Sequence, residues 1–283
     1  MSQVAVVTGA AGAMGSACAG ALVPAFDRIV LTDRDATGLR AVADRLADGG
    51  HDGVSVVVGD VGDAGFAAAL ADSAAARGSV RALVHTAGVS PSMTTWRDIL
   101  RIDLTGSERL LDAFAGHVVP GTAAVCLASI SGLMGPFDPA MDAVLDHPLD
   151  PDFAERFRSQ FPGEPDPGST YRLAKRGVIR SCERAAAVWG RHGGRVVSLS
   201  PGLIDTSMGR LELEHHPIKE EMARLTPVRS ARLDPGAPLP GSVLDIAAAV
   251  AFLCSDAAGF ISGCDLRVDG GLVGVLNHRR VDA

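Results

Sequence analysis

Lysine and tyrosine are nearly missing from this chain of 283 residues. Lys175 and Lys219 stand against 24 arginines, and Tyr171 is the sole tyrosine. Long apolar runs are missing too. The longest, Ile246 to Cys254, is about half of what crosses a bilayer, so no membrane partner is expected. The five cysteines (Cys18, Cys126, Cys182, Cys254 and Cys264) form no C-x-x-C pair, and an odd, scattered set argues against a disulfide framework or a zinc site. Basic excess is absent: 26 Lys and Arg face 33 Asp and Glu, for a formal net charge of -7. That balance leaves no footprint for nucleic acid or anionic lipid and makes a small molecule the expected partner. Strand-like sequence begins at Val4, which leaves no room for a charged and apolar leader, and a cytoplasmic address is expected.

What is present is a regular alternation. Short β-branched runs alternate with Ala/Leu-rich helical stretches, the pattern of βαβ units feeding a parallel sheet. The expectation is one doubly wound α/β domain of the Rossmann type over 1–283, with a seven-stranded parallel sheet and helices on both faces. Strands are predicted at Gln3 to Thr8, Arg28 to Thr32, Gly53 to Val58, Val80 to His85, Thr122 to Ala128, Arg195 to Leu199 and Cys264 to Val268. Helices are predicted near Ala13 to Pro24, Ala36 to Ala47, Asp63 to Arg77, Trp96 to His117, Thr170 to His192 and Val243 to Ser255.

Two segments break the rhythm. Pro136 to Gly168 carries seven prolines, eight acids and two arginines, and Asp205 to Pro240 is a long mixed stretch that suits a substrate loop. In the first, Asp138-Pro139 and Asp150-Pro151 each place a capping acid before a proline, predicting two short helices. Met141, Val144 and Leu145 form one apolar stripe, and Phe153, Phe157 and Phe161 another. These stripes either pack on the domain or wall a substrate cleft.

Apart from the Tyr171/Lys175 pair, the chemistry-bearing residues sit at or near predicted strand ends. Thr8-Gly9-Ala10-Ala11-Gly12-Ala13-Met14-Gly15 is a glycine-rich turn opening a helix, where backbone amides and the positive helix end suit a pyrophosphate. Asp33 follows 18 residues after Gly15. A carboxylate there can hold the ribose hydroxyls of NAD and repel the 2′-phosphate of NADP, although Arg34 can tolerate that phosphate. Tyr171 and Lys175 share a helix face at a spacing of four, with Ser129 ending the fifth strand. Lowering a phenol pKa from about 10 to about 7 needs roughly 4 kcal/mol. A unit charge at about 5 Å with an effective dielectric near 20 supplies roughly 3 kcal/mol, and the positive ring of an oxidised nicotinamide can supply the remainder. Tyr171 is therefore a candidate general acid/base, with Ser129 donating to the substrate oxygen. His215-His216 invites a metal reading, but no carboxylate pattern completes a site, and no metal is expected.

The order of these motifs resembles that of the NAD(P)-dependent short-chain dehydrogenase/reductase family over nearly the whole chain. The resemblance implies that Gly9, Gly12, Ala13, Met14 and Gly15 line the pyrophosphate, Asp60 and Val61 the adenine, and Thr86, Ala87 and Gly88 the second ribose region. It implies that Pro201, Gly202, Ile204 and Thr206 flank the nicotinamide, that Ser129, Tyr171 and Lys175 form the catalytic set, and that Lys175 also holds the nicotinamide ribose. Ser131 is the alternative serine, but Ser129 stands three before Gly132, as the family's serine stands before a glycine.

Three positions depart from the family pattern. The loop's middle glycine is Ala13, the family's Asn-Ala-Gly reads Thr86-Ala87-Gly88, and Asp103 replaces the asparagine that serves a water-linked proton relay. An aspartate accepts from water but offers no amide donors. The 42 residues separating Ser129 from Tyr171 exceed the family's usual spacing and resemble the bacterial 3α-hydroxysteroid dehydrogenase/carbonyl reductase branch, which implies bulky, apolar alcohols or ketones. The family further implies a homo-oligomer, a tetramer or, if the insertion blocks one interface, a dimer. Two rivals stay open: an NADP-dependent carbonyl reductase of the same fold, and a non-catalytic nucleotide-sensing regulator.

Overall fold

The computed structural model describes residues 1–279. Seven strands, β1 (Gln3–Thr8), β2 (Arg28–Asp33), β3 (Val54–Val58), β4 (Ser79–His85), β5 (Ala123–Leu127), β6 (Arg195–Pro201) and β7 (Cys264–Val268), form one sheet in the order β3-β2-β1-β4-β5-β6-β7. Every pairing is parallel. The order reverses between β1 and β4, which opens a crevice at the carboxyl ends of the strands, the ligand position in such sheets.

Alternation along each strand splits the core in two. Val4 and Val6 face one layer while Ala5 and Val7 face the other, and all four are fully buried. The second layer holds α1 (Ala13–Leu22), α2 (Ala36–Asp48) and α11 (Val243–Cys254). The first holds α3 (Phe66–Ala75), α4 (Trp96–Ile99), α5 (Gly106–Ala115) and α8 (Pro167–Gly190). Between α4 and α5 the chain takes a π-helical turn, Leu100–Thr105, where an unbroken helix was expected. One extra residue per turn shifts the phase of the side chains that follow, and such turns recur at functional sites. Asp103 sits inside it.

The segment after β5 forms α6 (Pro139–Leu145) and α7 (Phe153–Ser159). Asp138 caps α6 as expected, accepting from the Ala140 amide at 2.9 Å. Asp150 does not cap α7: that helix starts at Phe153, and the Asp150 carboxylate instead accepts from Arg156 at 2.8 Å. The same acid–proline signature works at Asp166-Pro167, where the Asp166 side chain accepts from Ser169 and starts α8 three residues before the expected Thr170.

The phenylalanine stripe turns inward. Phe153 and Phe157 are buried, Phe157 lies 6.0 Å from the Trp96 ring, and both belong to the core beneath α4, α5 and α8. Arginines at every fourth position of α8 clamp α6 from outside. Arg176 holds Asp142 at 2.5 Å, Arg180 and Arg184 hold Asp146 at 2.5 Å, and Arg184 also reaches Glu108 at 2.9 Å. The remaining elements, α9 (Ser207–His215), α10 (Ile218–Leu225) and α12 (Leu272–Arg279), stand at the carboxyl edge of β6 and β7. Among the described residues no helix is long and apolar enough to cross a membrane.

Candidate active site

The glycine-rich turn is a backbone cradle. Gly9 takes φ +65°, and a Cβ there would lie 2.6 Å from the Ala87 amide nitrogen; one on Gly15 would lie 2.2 Å from the Gly9 carbonyl oxygen. Side chains are therefore excluded where the loop and the strand β4 exit approach each other. Gly12 precedes α1 with no side-chain cap, and no acid occupies the first turn. The first amides of α1 thus point outward without intrahelical partners, a ready anion site. These features fit a dinucleotide pyrophosphate.

Most of the expected cofactor residues line one cavity of about 380 Å³: Gly9, Gly12, Ala13, Met14, Gly15, Asp33, Arg34, Asp60, Val61, Thr86, Ala87, Gly88 and Thr206. Met93, Ser207, Met208 and Leu211 join them, and no motif marked these four. Asp33 is fixed at the rim by two backbone amides, Ala11 at 3.1 Å and Asp35 at 3.0 Å. Asp60 accepts from the Gly62 amide at 2.8 Å and from Arg101 at 3.2 Å. Thr86 accounts for the departure at the family's asparagine, because its hydroxyl donates to the Thr8 carbonyl at 2.7 Å and ties β4 to β1.

Pro201, Gly202 and Ile204 lie in an adjoining cavity of about 130 Å³, together with Ser129, Ser131, Tyr171, Ser90, Glu212 and Lys219. Met14, Thr206 and Met208 line both cavities, so the two adjoin across these side chains. Ser129 caps a 3₁₀ turn, Ile130–Leu133, accepting from the Ser131 amide at 3.1 Å. A Cβ on Gly132 would lie 2.7 Å from the backbone of Lys175 and Arg176, so this glycine lets the turn press against α8 and set Ser129 beside Tyr171.

Lys175 and Asp103 line neither cavity and lie behind the tyrosine. Lys175 Nζ sits 5.5 Å from the Tyr171 ring centroid, 3.3 Å from the Leu127 carbonyl oxygen and 3.7 Å from Asp103 Oδ2. Asp103 is buried; its Oδ1 accepts from the Val89 amide at 2.8 Å, while Oδ2 has no hydrogen-bond partner. Burial raises the Asp103 pKa against the opposing pull of Lys175. Burial, the largest influence, would lower the Lys175 pKa, but Asp103, Tyr171 and Cys126 together outweigh it and the pKa is raised. The Tyr171 pKa stands above the usual phenol value. Desolvation is the largest cause, Lys175 opposes it, and Asp103 and Glu212 add to the rise. The expected lowering by Lys175 is present but outweighed in the protein alone, chiefly by burial of the phenol, with the Asp103 and Glu212 charges adding to the rise.

His85 connects this pair to the cradle. Its Nδ1 lies 2.7 Å from the Thr8 hydroxyl and its Nε2 2.9 Å from Ser107 Oγ, which donates to the Asp103 carbonyl at 2.6 Å. With the Ser107 proton so committed, Nε2 carries the hydrogen and Nδ1 accepts. Burial, aided by the Lys175 charge, drops the His85 pKa to about 3, so the ring is neutral. His215 Nδ1 bonds the Leu211 carbonyl at 2.8 Å, and His216 lies near Ser92 at 3.2 Å.

A nucleotide cradle on a doubly wound sheet, beside a pocket that holds serine and tyrosine with a lysine behind, is the arrangement of an oxidoreductase acting on CH–OH groups. The chain belongs to the short-chain dehydrogenase/reductase family, whose members bind NAD(P) and act on CH–OH groups. The family profile described as short chain dehydrogenase matches residues 3–140, and one described as enoyl-(acyl carrier protein) reductase matches 162–273. D-threitol dehydrogenase of Mycolicibacterium smegmatis is 32% identical, over 95% of this chain and 92% of the relative. Cis-4-hydroxycyclohexanecarboxylate dehydrogenase of Sinomonas cyclohexanicum is also 32% identical, over 96% and 97%. The 3-alpha-hydroxysteroid dehydrogenase/carbonyl reductase of Comamonas testosteroni is 26% identical, over 88% and 97%. In fold the chain is similar to a gluconate 5-dehydrogenase from Burkholderia cenocepacia in complex with NADP and tartrate, with TM-score 0.73 at 24% identity over 96% and 95%.

Proposed function

We propose that this protein moves a hydride reversibly between NAD and a secondary alcohol or ketone. The observation that carries the proposal is the convergence of Ser129 and Tyr171 in one pocket, with Lys175 Nζ 5.5 Å from the phenol ring and the cradle adjoining that pocket. NAD, when bound, supplies the hydride acceptor, and its reduced form the donor. Ser129 donates a hydrogen bond to the substrate oxygen. Tyr171 exchanges the proton with that oxygen, taking it in oxidation and giving it in reduction. Lys175 orders the nicotinamide ribose and, with the positive nicotinamide in place, pulls the phenol pKa back down. Asp103 stands where the family's relay residue stands and keeps Lys175 charged.

NAD rather than NADP follows from Asp33, whose carboxylate is locked at the cavity rim by two amides and would meet a 2′-phosphate charge to charge. Arg34 is exposed beside it and supports the NADP alternative only in part. A bulky, apolar carbon frame is supported by Met14, Pro91, Ile130, Leu203, Met222 and Leu239 in the pocket, and by relatives named for a cyclohexane ring and a steroid. Assembly into at least two copies is part of the same reading. With α6 and α7 clamped across α8, a dimer is favoured over a tetramer, which light scattering checks.

Titrating NADH and NADPH against the enzyme by nicotinamide fluorescence tests the cofactor reading. NADH should bind at least about tenfold more tightly, and Asp33→Ala should narrow the gap. Equal or tighter NADPH binding would contradict it. Turnover of secondary alcohols followed at the nicotinamide absorbance separates the enzyme from a nucleotide sensor.

A further inference from the structure

Beyond the reacting residues, the pocket wall carries a second polar group that the proposed reaction does not use. Glu212 of α9 is 6% exposed. Its Oε1 accepts from the hydroxyls of Ser90 and Ser92, and its Oε2 accepts from Lys219 of α10 at 2.9 Å. Ser90 and Glu212 are 122 positions apart in sequence, so the tertiary fold assembles this cluster. Glu212, Lys219 and Ser90 line the same cavity as Tyr171 and Ser129, and the phenol feels the Glu212 charge. Burial alone would raise the Glu212 pKa, but the bonds from Ser90, Lys219 and Ser92 outweigh it and bring it down to about 2, so the group is a carboxylate at any working pH.

The geometry points to Glu212 and Lys219 as a recognition site for a second, neutral hydroxyl of the substrate. This inference rests on Tyr171 and Ser129 marking the reacting end. A carboxylate offers about four acceptor positions and three are taken; the lysine offers three donors and one is committed to Glu212. What remains is one acceptor beside donors, the complement of an alcohol, which both gives and takes a hydrogen bond. The pair is electrically balanced, so an anionic substituent would gain from Lys219 and lose against Glu212. A purely apolar substituent would cover the remaining acceptor position of Glu212 and the free donors of Lys219 without satisfying them, which is costly. The substrate class is therefore a secondary alcohol with a further hydroxyl on its carbon frame: a polyol or a hydroxylated ring.

Four probes of one ring size test this with the full-length enzyme and NAD: cyclohexanol, 1,2-cyclohexanediol, 1,4-cyclohexanediol and 4-hydroxycyclohexanecarboxylate. At least one diol should exceed both cyclohexanol and the carboxylate in kcat/KM by about tenfold. Glu212→Gln should lower the diol value about tenfold more than the cyclohexanol value, with NADH affinity checking that the fold is intact. Lys219→Met, which leaves the acid unbalanced, should depress the carboxylate probe most of all. Cyclohexanol turned over as well as both diols overturns the inference, as does an equal loss on all probes in Glu212→Gln. No oxidation of any probe by the wild type overturns the alcohol-dehydrogenase reading itself, and this inference with it.

Discussion

The cofactor half of the crevice and the substrate half are built from different materials. At β1 to β3 the surface is mostly backbone: glycines that admit no side chain, helix amides, and an aspartate held by its neighbours' N–H groups. On the other side of β4 the site is made of side chains brought from far apart, Ser90 to Glu212 at the wall and Asp103 to Lys175 buried behind it. A backbone-made site depends on local conformation, so a short motif specifies it. A site made of side chains depends on which elements the fold brings together, and the chemistry there varies without disturbing the frame.

The largest effect should come where the second kind of site touches the reaction. Lys175→Arg keeps the charge but is planar and larger than the buried space beside Leu127 allows, so turnover should fall about 10²- to 10⁴-fold in steady-state assays. A loss below about threefold would mean that the ammonium's position is not critical. Phe157→Ala tests whether the inserted helices belong to the core or to the pocket. Removing a fully buried ring should cost about 3–5 kcal/mol in urea unfolding, with KM changing alike for large and small substrates. A KM rise confined to bulky substrates would return the ring to the cleft wall.

Asp103→Asn restores the asparagine usual in the family and removes one negative charge acting on Tyr171. The phenol pKa should drop, so the acid limb of kcat/KM for oxidation should move to lower pH. An unmoved limb would show that Lys175 is not held in check by this carboxylate. The smallest effect is on stability. The folded pKa of His85, about 3, is below the unfolded value, so the unfolded chain binds one more proton between the two and stability falls as pH drops through that window. Relative to His85→Gln, the wild type should lose about 1.4 kcal/mol per pH unit below about pH 6. Parallel stability curves for the two proteins would contradict the neutral, doubly bonded ring.

The same contrast explains what was legible in the sequence. All seven strands lie within two residues of their expected ends, because apolar runs bounded by glycine and polar turns are local signals. The start of α8 was expected three residues late: the acid–proline signature at 166–167 fell inside the segment read as insertion. The phenylalanine stripe was ambiguous for a physical reason, since apolar periodicity identifies a face and not what covers it. Trp96, 61 positions before Phe157, supplies that cover. Glu212 carried no signal in the sequence, because the serines that bond it lie about 120 positions away.

Tyr171→Phe separates the two halves most directly, because it removes one oxygen from the only tyrosine and leaves the ring's packing in place. Steady-state turnover and NADH titration should be measured on the same preparation. Turnover should fall by at least about 10²-fold while NADH affinity stays within about threefold of wild type. Retention of more than about a tenth of wild-type turnover, with chemistry shown to limit the rate, would contradict the account.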